Sequence, residues 1–570
     1  LSPVDPAGRY TQEVPQYQGM KIWDANSVIV EDLKKSGHLI FHSQITHSYP
    51  HNPRSKTPLI FRATPQWFIR MDEPHFPLRK KALEAVEKNI QFVPEWGRQR
   101  LQAMIQNTPD WCLSRQRIWG VPIPVFYCTQ CEEPLVNEEI MNRVADSFEK
   151  DNKGIEAFHE TPTDQYTKGF SCTKCGSKEF RKSQDILDVW FDSGVCHTAV
   201  QQTRKDLGFP ADIYLEGSDQ HRGWFQTSLL SSIAAYEQPP FRALITHGFV
   251  NDSEGYKMSK SRGNVISPSD VIKKYGAEIL RLWVAYEDYG QDVSISEEMF
   301  QRITETYRRF RNTIRFMLGN LKDFDFSKHA VPYDRMTSVD QWALFQLNQL
   351  ILKIRKAFDN YDFYKSYHAL NHYFTVTLSS FYLDILKDRL YTAKTEGLPR
   401  RSAQTVIFLQ LKNLLPLMAP ILSFLSEEAY KYLQDPDKKE SIFLLPFPEP
   451  QEEWDNLKLD ERFQELLKLR AEVSKKLEEL RKNKTIGSSL EAQVQITVPE
   501  HLVQSIQDLK VNLEELFIVS KVTLSPGEKE DILVKKAEGE KCVRCWNYHV
   551  EVNKSSQWPG LCPKCIEALS

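Results

Sequence analysis

Apolar residues recur every three or four positions in two long stretches of the chain, which is the spacing of an amphipathic helix. The first stripe follows Asp292 and consists of Met299, Ile303, Tyr307, Phe310, Ile314 and Met317. Five arginines lie off that stripe: Arg302, Arg308, Arg309, Arg311 and Arg315. Segments 381–390 and 406–417 continue this character, with Pro416 and Pro420 at bends or helix ends. The pattern predicts amphipathic helices with a basic face, and arginines placed in this way are by themselves most often a solvated helix face.

The second stripe lies within residues 457–483 and consists of Leu459, Phe463, Leu466, Leu469, Val473, Leu477 and Leu480. Its repeat is short, so a helix packed in a hairpin is favoured over a coiled coil. Apolar residues then alternate from Ala492 to Val498, as in a half-buried strand. Residues 1–55 mix short apolar segments with turn residues and are typical of the end of a β-rich domain.

Residues 185–295 alternate short apolar strands with helical stretches, which predicts a parallel α/β fold. The expected strands are residues 186–191, which end in the turn 192–194, residues 213–215 and residues 244–250. Ligands of such sheets bind beyond the carboxyl ends of the strands. The side chains at or near these ends are Trp190, Glu216, Asp219, Gln220 and His247. They could be ordinary strand-terminal residues, but a phosphate-binding loop after them would favour a ligand-binding role.

Each of these side chains has a chemistry that suits a nucleotide or an amino acid. Glu216 can accept a hydrogen bond from an ammonium group, and His247 can contact a nucleotide. Asp219 and Gln220 suit ribose hydroxyls. Trp190 and Trp224 can supply flat apolar walls for a branched side chain.

The loop Lys257-Met258-Ser259-Lys260-Ser261 follows the third strand. Lysine side chains are mobile point charges that can stabilise the charge that develops as a phosphoryl bond breaks. A short Lys/Ser loop is by itself more often a solvated turn. Because three strand ends with polar and aromatic residues precede this loop, we favour a phosphate-binding loop over a solvated turn.

Eight of the ten cysteines form four Cys-x-x-Cys pairs. The pairs at Cys542, Cys545, Cys562 and Cys565 have the spacing of a four-thiolate zinc ribbon. Those at Cys128, Cys131, Cys172 and Cys175 are 40 residues apart, which indicates either a zinc site with an insertion or two unrelated reduced pairs. The expected zinc, in one or two sites, is structural. The ribbon cations Lys541, Arg544, Lys554 and Lys564, with Trp546 and Tyr548, could contact RNA.

The bulk composition limits the classes of function. At 570 residues the chain is too long to form a single hydrophobic core, and three to five domains are expected. The formal net charge is only −3, so any nucleic-acid surface must be a local patch. No apolar run suggests a membrane span or a secretory signal, and cysteines used for metal indicate a reducing compartment, the cytoplasm.

Several segments resemble class I aminoacyl-tRNA synthetases. Residues 257–261, KMSKS, are similar to the second signature of that family. Residues 61–68, FRATPQWF, and 188–194, DVWFDSG, resemble the bacterial isoleucyl branch more than the valyl one. Residues 110–120 resemble the return from the editing insertion to the catalytic domain.

The resemblance implies a fold and a set of site residues. Glu216 would hold the aminoacyl-adenylate, and Trp190 and Trp224 would shape the isoleucine pocket. Lys260 would meet ATP, and Lys257 and Lys260 would stabilise the departing pyrophosphate. The implied partners are isoleucine, ATP with Mg²⁺ as substrate, and tRNA(Ile), which the helical bundle and the zinc ribbon would hold. The protein would be a monomer without membrane association.

The expected architecture is a Rossmann-like α/β catalytic portion with a zinc-knuckle insertion, an α-helical anticodon-binding bundle and a small C-terminal zinc ribbon. The expected boundaries are 1–55 for the end of an editing domain, 56–125 for the connection to the catalytic domain, 126–184 for the insertion, 185–295 for the second half of the catalytic domain, 296–455 for the bundle, 456–535 for a junction and 536–570 for the ribbon.

The family's first signature, of the His-x-Gly-His kind, and its threonine-rich editing elements do not occur in the sequence. The expectation is therefore an N-terminally truncated chain that by itself neither activates isoleucine efficiently nor edits valine. Two alternatives stay open at this point. One is a valyl-tRNA synthetase, and the other is a non-catalytic tRNA-binding protein descended from a synthetase.

Overall fold

The computed structural model describes residues 2–52, 55–150, 153–260 and 262–570. Ser261 of the lysine loop lies outside these ranges. The chain forms two compact units. The first comprises residues 1–91, 97–214 and 219–243, and the second comprises residues 92–96, 215–218 and 244–570.

The N-terminal segment of the first unit differs from the expected β-rich tail. Its main element is helix α1 (Ile22–Lys35). Among the described residues of this segment, extended pairing consists of isolated bridges, Val4–Tyr10 and Arg9–Lys21 before the helix and His51–Pro58 after it. The turn residues noted in the sequence therefore lead into a helix.

The next part combines short strands with two amphipathic helices. The elements are β1 (Phe68–Ile69), α2 (Leu78–Lys88), β2 (Gln91–Val93), α3 (Trp96–Asn107), β3 (Trp111–Cys112) and β4 (Ser114–Arg115). Strand β1 pairs antiparallel with β3. The buried Leu78, Ala82 and Val86 are spaced at four residues on one face of α2, the pattern that packs a helix against a neighbour.

A separate small core carries the first cysteine quartet. Its elements are β5 (Phe126–Cys128), β6 (Pro134–Leu135), α4 (Glu138–Glu149), α5 (Glu156–Glu160), α6 (Thr163–Thr167) and β7 (Phe180–Lys182). The strands form an antiparallel sheet in the order β6–β5–β7. Phe126, Phe158 and Tyr166 pack together beneath it. The insertion thus has a hydrophobic core of its own.

The remaining elements of the α/β part are β8 (Ile186–Leu187), α7 (Val189–Gly194), β9 (Ala211–Gly217), α8 (Trp224–Tyr236) and β10 (Phe241–His247). Strand β8 pairs antiparallel with β4. Strands β2, β10 and β9 form a three-stranded sheet in that order. The second and third predicted strands are confirmed as β9 and β10.

The prediction of one strand over residues 186–191 is wrong. The strand ends at Leu187, and α7 begins at Val189. Asp188 caps this helix by accepting a hydrogen bond from the backbone N–H of Trp190. It also accepts one from Trp111 Nε1 at 3.1 Å and pairs with Arg115 at 3.0 Å. An apolar run of six residues is too short for periodicity to separate strand from helix.

The second unit begins with the segment that carries the lysine loop. Its elements are β11 (Val250–Asn251), α9 (Pro268–Tyr275), α10 (Ala277–Tyr286) and β12 (Val293–Ser294). Strands β11 and β12 pair in parallel. Helix α9 has Ser267 as its N-cap and Pro268 at its first position, two strong helix-start signals.

A helical bundle follows, as the resemblance implies, and it begins with the helix that the first apolar stripe predicts. Its helices are α11 (Glu297–Gly319), α12 (Phe326–His329), α13 (Ser338–Asp359), α14 (Phe363–His372), α15 (Leu383–Ile385), α16 (Lys387–Thr392), α17 (Leu398–Met418) and α18 (Ser423–Tyr432). A π-helical segment, Tyr373–Tyr382, joins α14 to α15. Pro416 lies inside the last turn of α17, which ends before Pro420.

The C-terminal part contains α19 (Leu457–Lys482), β13 (Ala492–Val498), α20 (Glu500–Asp508), α21 (Leu513–Phe517), β14 (Lys521–Pro526), β15 (Asp531–Lys536), β16 (Glu540–Lys541), β17 (Tyr548–His549) and α22 (Pro563–Leu569). Strand β13 is central, parallel to β14 and antiparallel to β15. Helix α19 packs on α13, α20, α21 and β15, so the packed helix is confirmed and the coiled coil is not seen.

Within the described ranges, the structure has no helix that combines the length and the apolar character needed to cross a membrane.

Candidate functional site

Trp190 and Trp224 both lie in the first unit, near the starts of α7 and α8. Trp224 begins α8 and stacks on Tyr214 of β9, with ring centroids 4.2 Å apart and planes inclined by 9°. Its indole Nε1 donates to the carbonyl oxygen of Ser193 at 3.0 Å. The Trp190 side chain is 40% exposed, and a Cβ added at Gly223 would lie 2.9 Å from its ring. Residue 223 therefore must be glycine if the Trp190 ring is to keep its place.

Asp219 and Gln220 lie in the 3-10 turn between β9 and α8. Gln220 Nε2 donates to Asp219 Oδ2 at 3.1 Å, and Gln220 Oε1 accepts from the backbone N–H of Trp224 at 3.0 Å. Gln220 thus ties the turn to the start of α8. The carboxylate of Asp219 is exposed and can accept further hydrogen bonds.

His247 is the last residue of β10 in the second unit, and Glu216 is exposed near the end of β9. The Nδ1 atom of His247 lies 2.8 Å from the carbonyl oxygen of Gly248. Because a carbonyl only accepts, Nδ1 carries the proton and Nε2 is left as an acceptor in the neutral ring. A Cβ at Gly248 would lie 2.2 Å from the carbonyl oxygen of Gln291, so this turn also requires glycine.

The lysine loop is anchored on one side and exposed on the other. The Met258 side chain packs against the hydrophobic core of the second unit, and its sulfur accepts from the backbone N–H of Ile266 at 3.4 Å. Lys257 and Lys260 are exposed, and Lys257 Nζ lies 4.3 Å above the Phe249 ring. One methionine therefore holds the loop while the two ammonium groups face solvent.

Two residues to which the sequence analysis gave no role organise this loop. Asp252 accepts hydrogen bonds from the backbone N–H groups of Glu254 and Tyr256. It also accepts from Asn264 Nδ2 at 2.8 Å, which lowers the pKa of the Asp252 carboxyl. Asp252 followed by Gly255 is a recognisable turn signal, whereas nothing local in the sequence identifies the partner of Asn264.

The predicted site residues fall in both compact units. Glu216, His247, Lys257 and Lys260 belong to the second unit. The first unit contains the others, which are Trp190, Asp219, Gln220 and Trp224. Their roles towards an amino acid or a nucleotide stay predictions.

The cysteine pairs come together as two four-sulfur clusters. In each quartet the sulfur atoms all lie within 4.8 Å of one another. Cys128 and Cys175 are 3.5 Å apart, as are Cys131 and Cys172. A tetrahedral Zn²⁺ with Zn–S bonds of about 2.3 Å requires sulfurs roughly 3.8 Å apart, so the first cluster fits the metal.

The electrostatics of the first quartet favour thiolate formation at Cys128 and Cys172, one in each knuckle, and a hydrogen bond from the backbone of Cys175 is the main cause of the lowered pKa of Cys172. Burial raises the pKa of the Cys128 thiol, but hydrogen bonds from the backbone of Cys131 and Gln130 outweigh burial and bring it to about 6. Thiolates are the form that ligates zinc. Zinc bound here would hold the knuckles of β5 and of residues 172–175 together.

The C-terminal quartet is the more buried of the two. Cys542 and Cys565 are fully buried, and Cys545 and Cys562 lie 3.6 Å apart. The backbone N–H of Cys562 points at the sulfur of Cys542 at 3.4 Å, the contact expected for a zinc knuckle. Four sulfurs around one point leave no open position, so this donor set fits a structural Zn²⁺.

Two of the ribbon cations bind the helical bundle. Arg544 donates to the carbonyl oxygen of Thr392 at the end of α16, and its Nη1 lies 3.7 Å from Cys565 Sγ. Lys564 pairs with Asp388 of the same helix. These two side chains therefore dock the ribbon. The exposed Trp546, with Lys541 Nζ 5.2 Å from its ring, remains as an aromatic and basic surface.

Three protein-family models match the chain. Residues 12–296 match tRNA synthetases class I (I, L, M and V). Residues 340–496 match the anticodon-binding domain of tRNA ligase, and residues 539–568 match the zinc finger found in FPG and IleRS. These matches confirm the expected fold class, with its Rossmann-like catalytic portion, helical anticodon-binding domain and C-terminal zinc module.

Curated relatives match the chain from end to end. Proteins named isoleucine--tRNA ligase from Geobacter sulfurreducens, Thermotoga maritima and Petrotoga mobilis are 48%, 46% and 44% identical over 100% of this chain. The chain spans 62% of the length of each relative.

Among solved structures, methionyl-tRNA synthetase of Mycobacterium tuberculosis in complex with methionyl-adenylate aligns with a TM-score of 0.48 and 18% identity, over 69% of this chain and 68% of that one. This likeness is too distant to bear on function. The family assignment depends instead on the sequence matches, which begin at the N-terminal segment and extend through the zinc ribbon. The chain belongs to the class I tRNA synthetases of the isoleucine, leucine, methionine and valine group.

Proposed function

We propose that this chain functions in an isoleucine--tRNA ligase, an enzyme that activates isoleucine with ATP and transfers it to tRNA(Ile). The observation that carries the proposal is the identity of 44–48% over the whole chain with proteins named isoleucine--tRNA ligase. The competing valyl assignment gains no comparable support from these relatives. A non-catalytic tRNA-binding role would not require the lysine loop or the tryptophans Trp190 and Trp224.

The chemistry proposed for the second unit is electrostatic. The carboxylate of isoleucine attacks the α-phosphate of ATP, and the ammonium groups of Lys257 and Lys260 stabilise charge on the departing pyrophosphate. Their exposure and flexible side chains suit a group that is charged only during the reaction. We assign His247 to the nucleotide, because the contact of Nδ1 with the carbonyl oxygen of Gly248 leaves Nε2 to meet a ligand.

The first unit contributes shape and orientation. Trp190 and Trp224 are proposed to contact the isoleucine side chain. The orientation of the Trp224 ring is held by its stacking on Tyr214. Asp219 is proposed to bind a ribose hydroxyl, with Gln220 beside it. From the second unit, Glu216 is proposed to accept a hydrogen bond from the α-ammonium group of isoleucine. Holding both reactants in this way lowers the barrier by orientation.

The RNA partner is proposed to bind the basic face of α11 together with the ribbon. The five arginines of the predicted basic face are exposed, while the apolar residues Ile303, Phe310 and Ile314 are buried. Guanidinium groups along one helix face can neutralise several phosphates of an RNA backbone. The natural protein is proposed to be a cytoplasmic monomer.

The proposal is tested by amino-acid-dependent pyrophosphate exchange with the natural gene product that includes this chain. We expect exchange with isoleucine far faster than with valine. Lys260→Ala should slow isoleucine-dependent exchange by about 100-fold or more, the usual effect of removing a group that stabilises transition-state charge. The affinity for tRNA(Ile) should change less than about threefold, because the arginines proposed to bind the RNA lie on α11 and are left intact.

Lys273→Ala provides a matched control, since it removes another exposed lysine close in sequence but outside the loop. It should leave exchange unchanged. Exchange that prefers valine would establish the valyl alternative. Tight tRNA binding without exchange for either amino acid would establish the non-catalytic one.

A further inference from the structure

A pair of side chains closes the lysine loop at its base. Asp252 precedes the loop and Asn264 follows it, and Asn264 Nδ2 donates to Asp252 Oδ2 at 2.8 Å. Asn264 Oδ1 accepts from the backbone N–H of Ser259 at 2.9 Å. Its Nδ2 also lies 3.4 Å from the carbonyl oxygen of Lys257. One amide group therefore contacts the backbone both at and after the first lysine.

The polarity of these contacts fixes the orientation of the amide. The Asp252 carboxylate only accepts, so it must face the Nδ2 of Asn264. The backbone N–H of Ser259 only donates, so it must face Oδ1. Asp252 is itself held, because its Oδ1 accepts from the backbone N–H groups of Glu254 at 3.0 Å and Tyr256 at 2.8 Å. Each of the two side chains thus has a directed partner at both ends.

We propose that Asp252 and Asn264 are positioning residues, which set the backbone between Lys257 and Lys260 so that both ammonium groups can meet the polyphosphate. The inference rests on the proposed function of these lysines. Lysine side chains are long and mobile, so the protein can place them only through their Cα atoms. A loop whose base is closed has fewer conformations to lose when ATP binds.

Exchanging the two residues separates a hydrogen-bonding role from a packing role, because Asp and Asn have nearly the same shape and a packing role would tolerate each single change as well as the exchange. Asn264→Asp places two carboxylates opposite each other, and Asp252→Asn places two NH₂ groups opposite each other. In the double variant Asp252→Asn with Asn264→Asp, the new Asn donates to the new Asp, which still accepts from the backbone N–H of Ser259. The hydrogen bond between the two side chains, the one from the backbone N–H of Ser259 and the net charge are restored, and only the 3.4 Å contact with the carbonyl oxygen of Lys257 is lost.

The first test is isoleucine-dependent pyrophosphate exchange with the natural gene product. Each single variant is expected to lower kcat by about 10-fold to 100-fold, since a loop that supplies transition-state stabilisation is displaced. The exchanged double variant should recover to within about threefold of the wild type. Glu254→Gln is the matched control, because it removes one negative charge from the same exposed turn while its backbone N–H still donates to Asp252, and it should leave kcat unchanged.

The second test needs no catalysis and uses this chain itself. Trypsin cleaves after lysine, and cleavage after Lys257 requires the loop to open locally. Each single variant should be cut there several-fold faster than the wild type, and the exchanged variant at the wild-type rate.

The inference is overturned if the single variants retain full kcat while the wild type is active, or if the exchanged variant is no better than the singles in both tests. A wild type inactive in exchange, with the expected pattern of cleavage, would instead remove the proposed function and leave the closed loop base as a structural feature only.

Discussion

The buried carboxylate of Asp340 offers a stringent test of the helical bundle. Asp340 lies on α13 with no solvent exposure. It accepts hydrogen bonds from Tyr382 at 2.7 Å and from Arg389 at 3.0 Å, and Ser402 donates to the same carboxylate. Arg389 is 6% exposed and also pairs with Glu515, so the guanidinium is held between two acids.

The effect of Asp340→Ala can be worked from these contacts. Breaking a buried ion pair costs about 3–5 kcal/mol, because the remaining charge is left uncompensated. In the variant, Arg389 keeps its ion pair with Glu515, which limits the loss to the lower part of that range. Tyr382 and Ser402 each lose a hydrogen-bond acceptor, which adds to the loss. We expect the local free energy of opening of α13 to fall by about 3 kcal/mol, which makes amide exchange roughly 150-fold faster.

The assay is native-state hydrogen exchange of α13 peptides followed by mass spectrometry. Asp362→Ala is the control, because Asp362 is partly exposed and its ion pair, at 2.6 Å, is with the exposed Lys365 on the surface of the same bundle. Exposed pairs of this kind contribute less than about 1 kcal/mol. If Asp340→Ala changes the exchange of α13 no more than Asp362→Ala does, the buried network contributes nothing specific and the reasoning is refuted.

Two further predictions concern the metal and the pH dependence. Wild-type chain should contain two Zn²⁺, one for each sulfur cluster, and Cys545→Ser should reduce this to one by elemental analysis; unchanged metal content in the variant would contradict the ribbon site. Burial lowers the pKa of His197 from 6.5 to about 4. The unfolded chain therefore takes up a proton between pH 6.5 and pH 4 that the folded chain does not, so stability should fall as the pH drops through this window. Urea titrations at pH 7.5 and 5 should show a smaller loss for His197→Gln; an equal loss would assign the pH dependence to other groups.

The helices could be predicted because their signal is local. The stripe from Leu459 to Leu480 gave α19, and its buried face is the predicted one except that Leu480 is only half-buried. The spacing of the cysteine pairs likewise indicated both metal clusters. In each case residues a few positions apart lie on one side of a helix or knuckle, so the geometry follows from spacing alone.

The short strand at Ile186 marks where local reasoning failed. The run from Ile186 to Phe191 is apolar enough for either a strand or a helix, and the cap at Asp188 decided for a helix. That carboxylate is also held by Trp111 and Arg115, which are more than 70 residues away in sequence. The prediction lacked these partners.

What the sequence by itself determined is the family resemblance, the order of the elements, the apolar faces of the long helices and the two cysteine quartets. Only the tertiary structure decided which polar groups are partners: Asn264 with Asp252, Asp340 with Arg389, and Arg544 with the end of α16. The physical reason is the range of each interaction. Periodicity and knuckle spacing are properties of neighbouring residues, whereas a hydrogen bond or ion pair across the fold depends on how separate elements pack, which brings together side chains as far apart in sequence as Lys564 and Asp388, 176 positions.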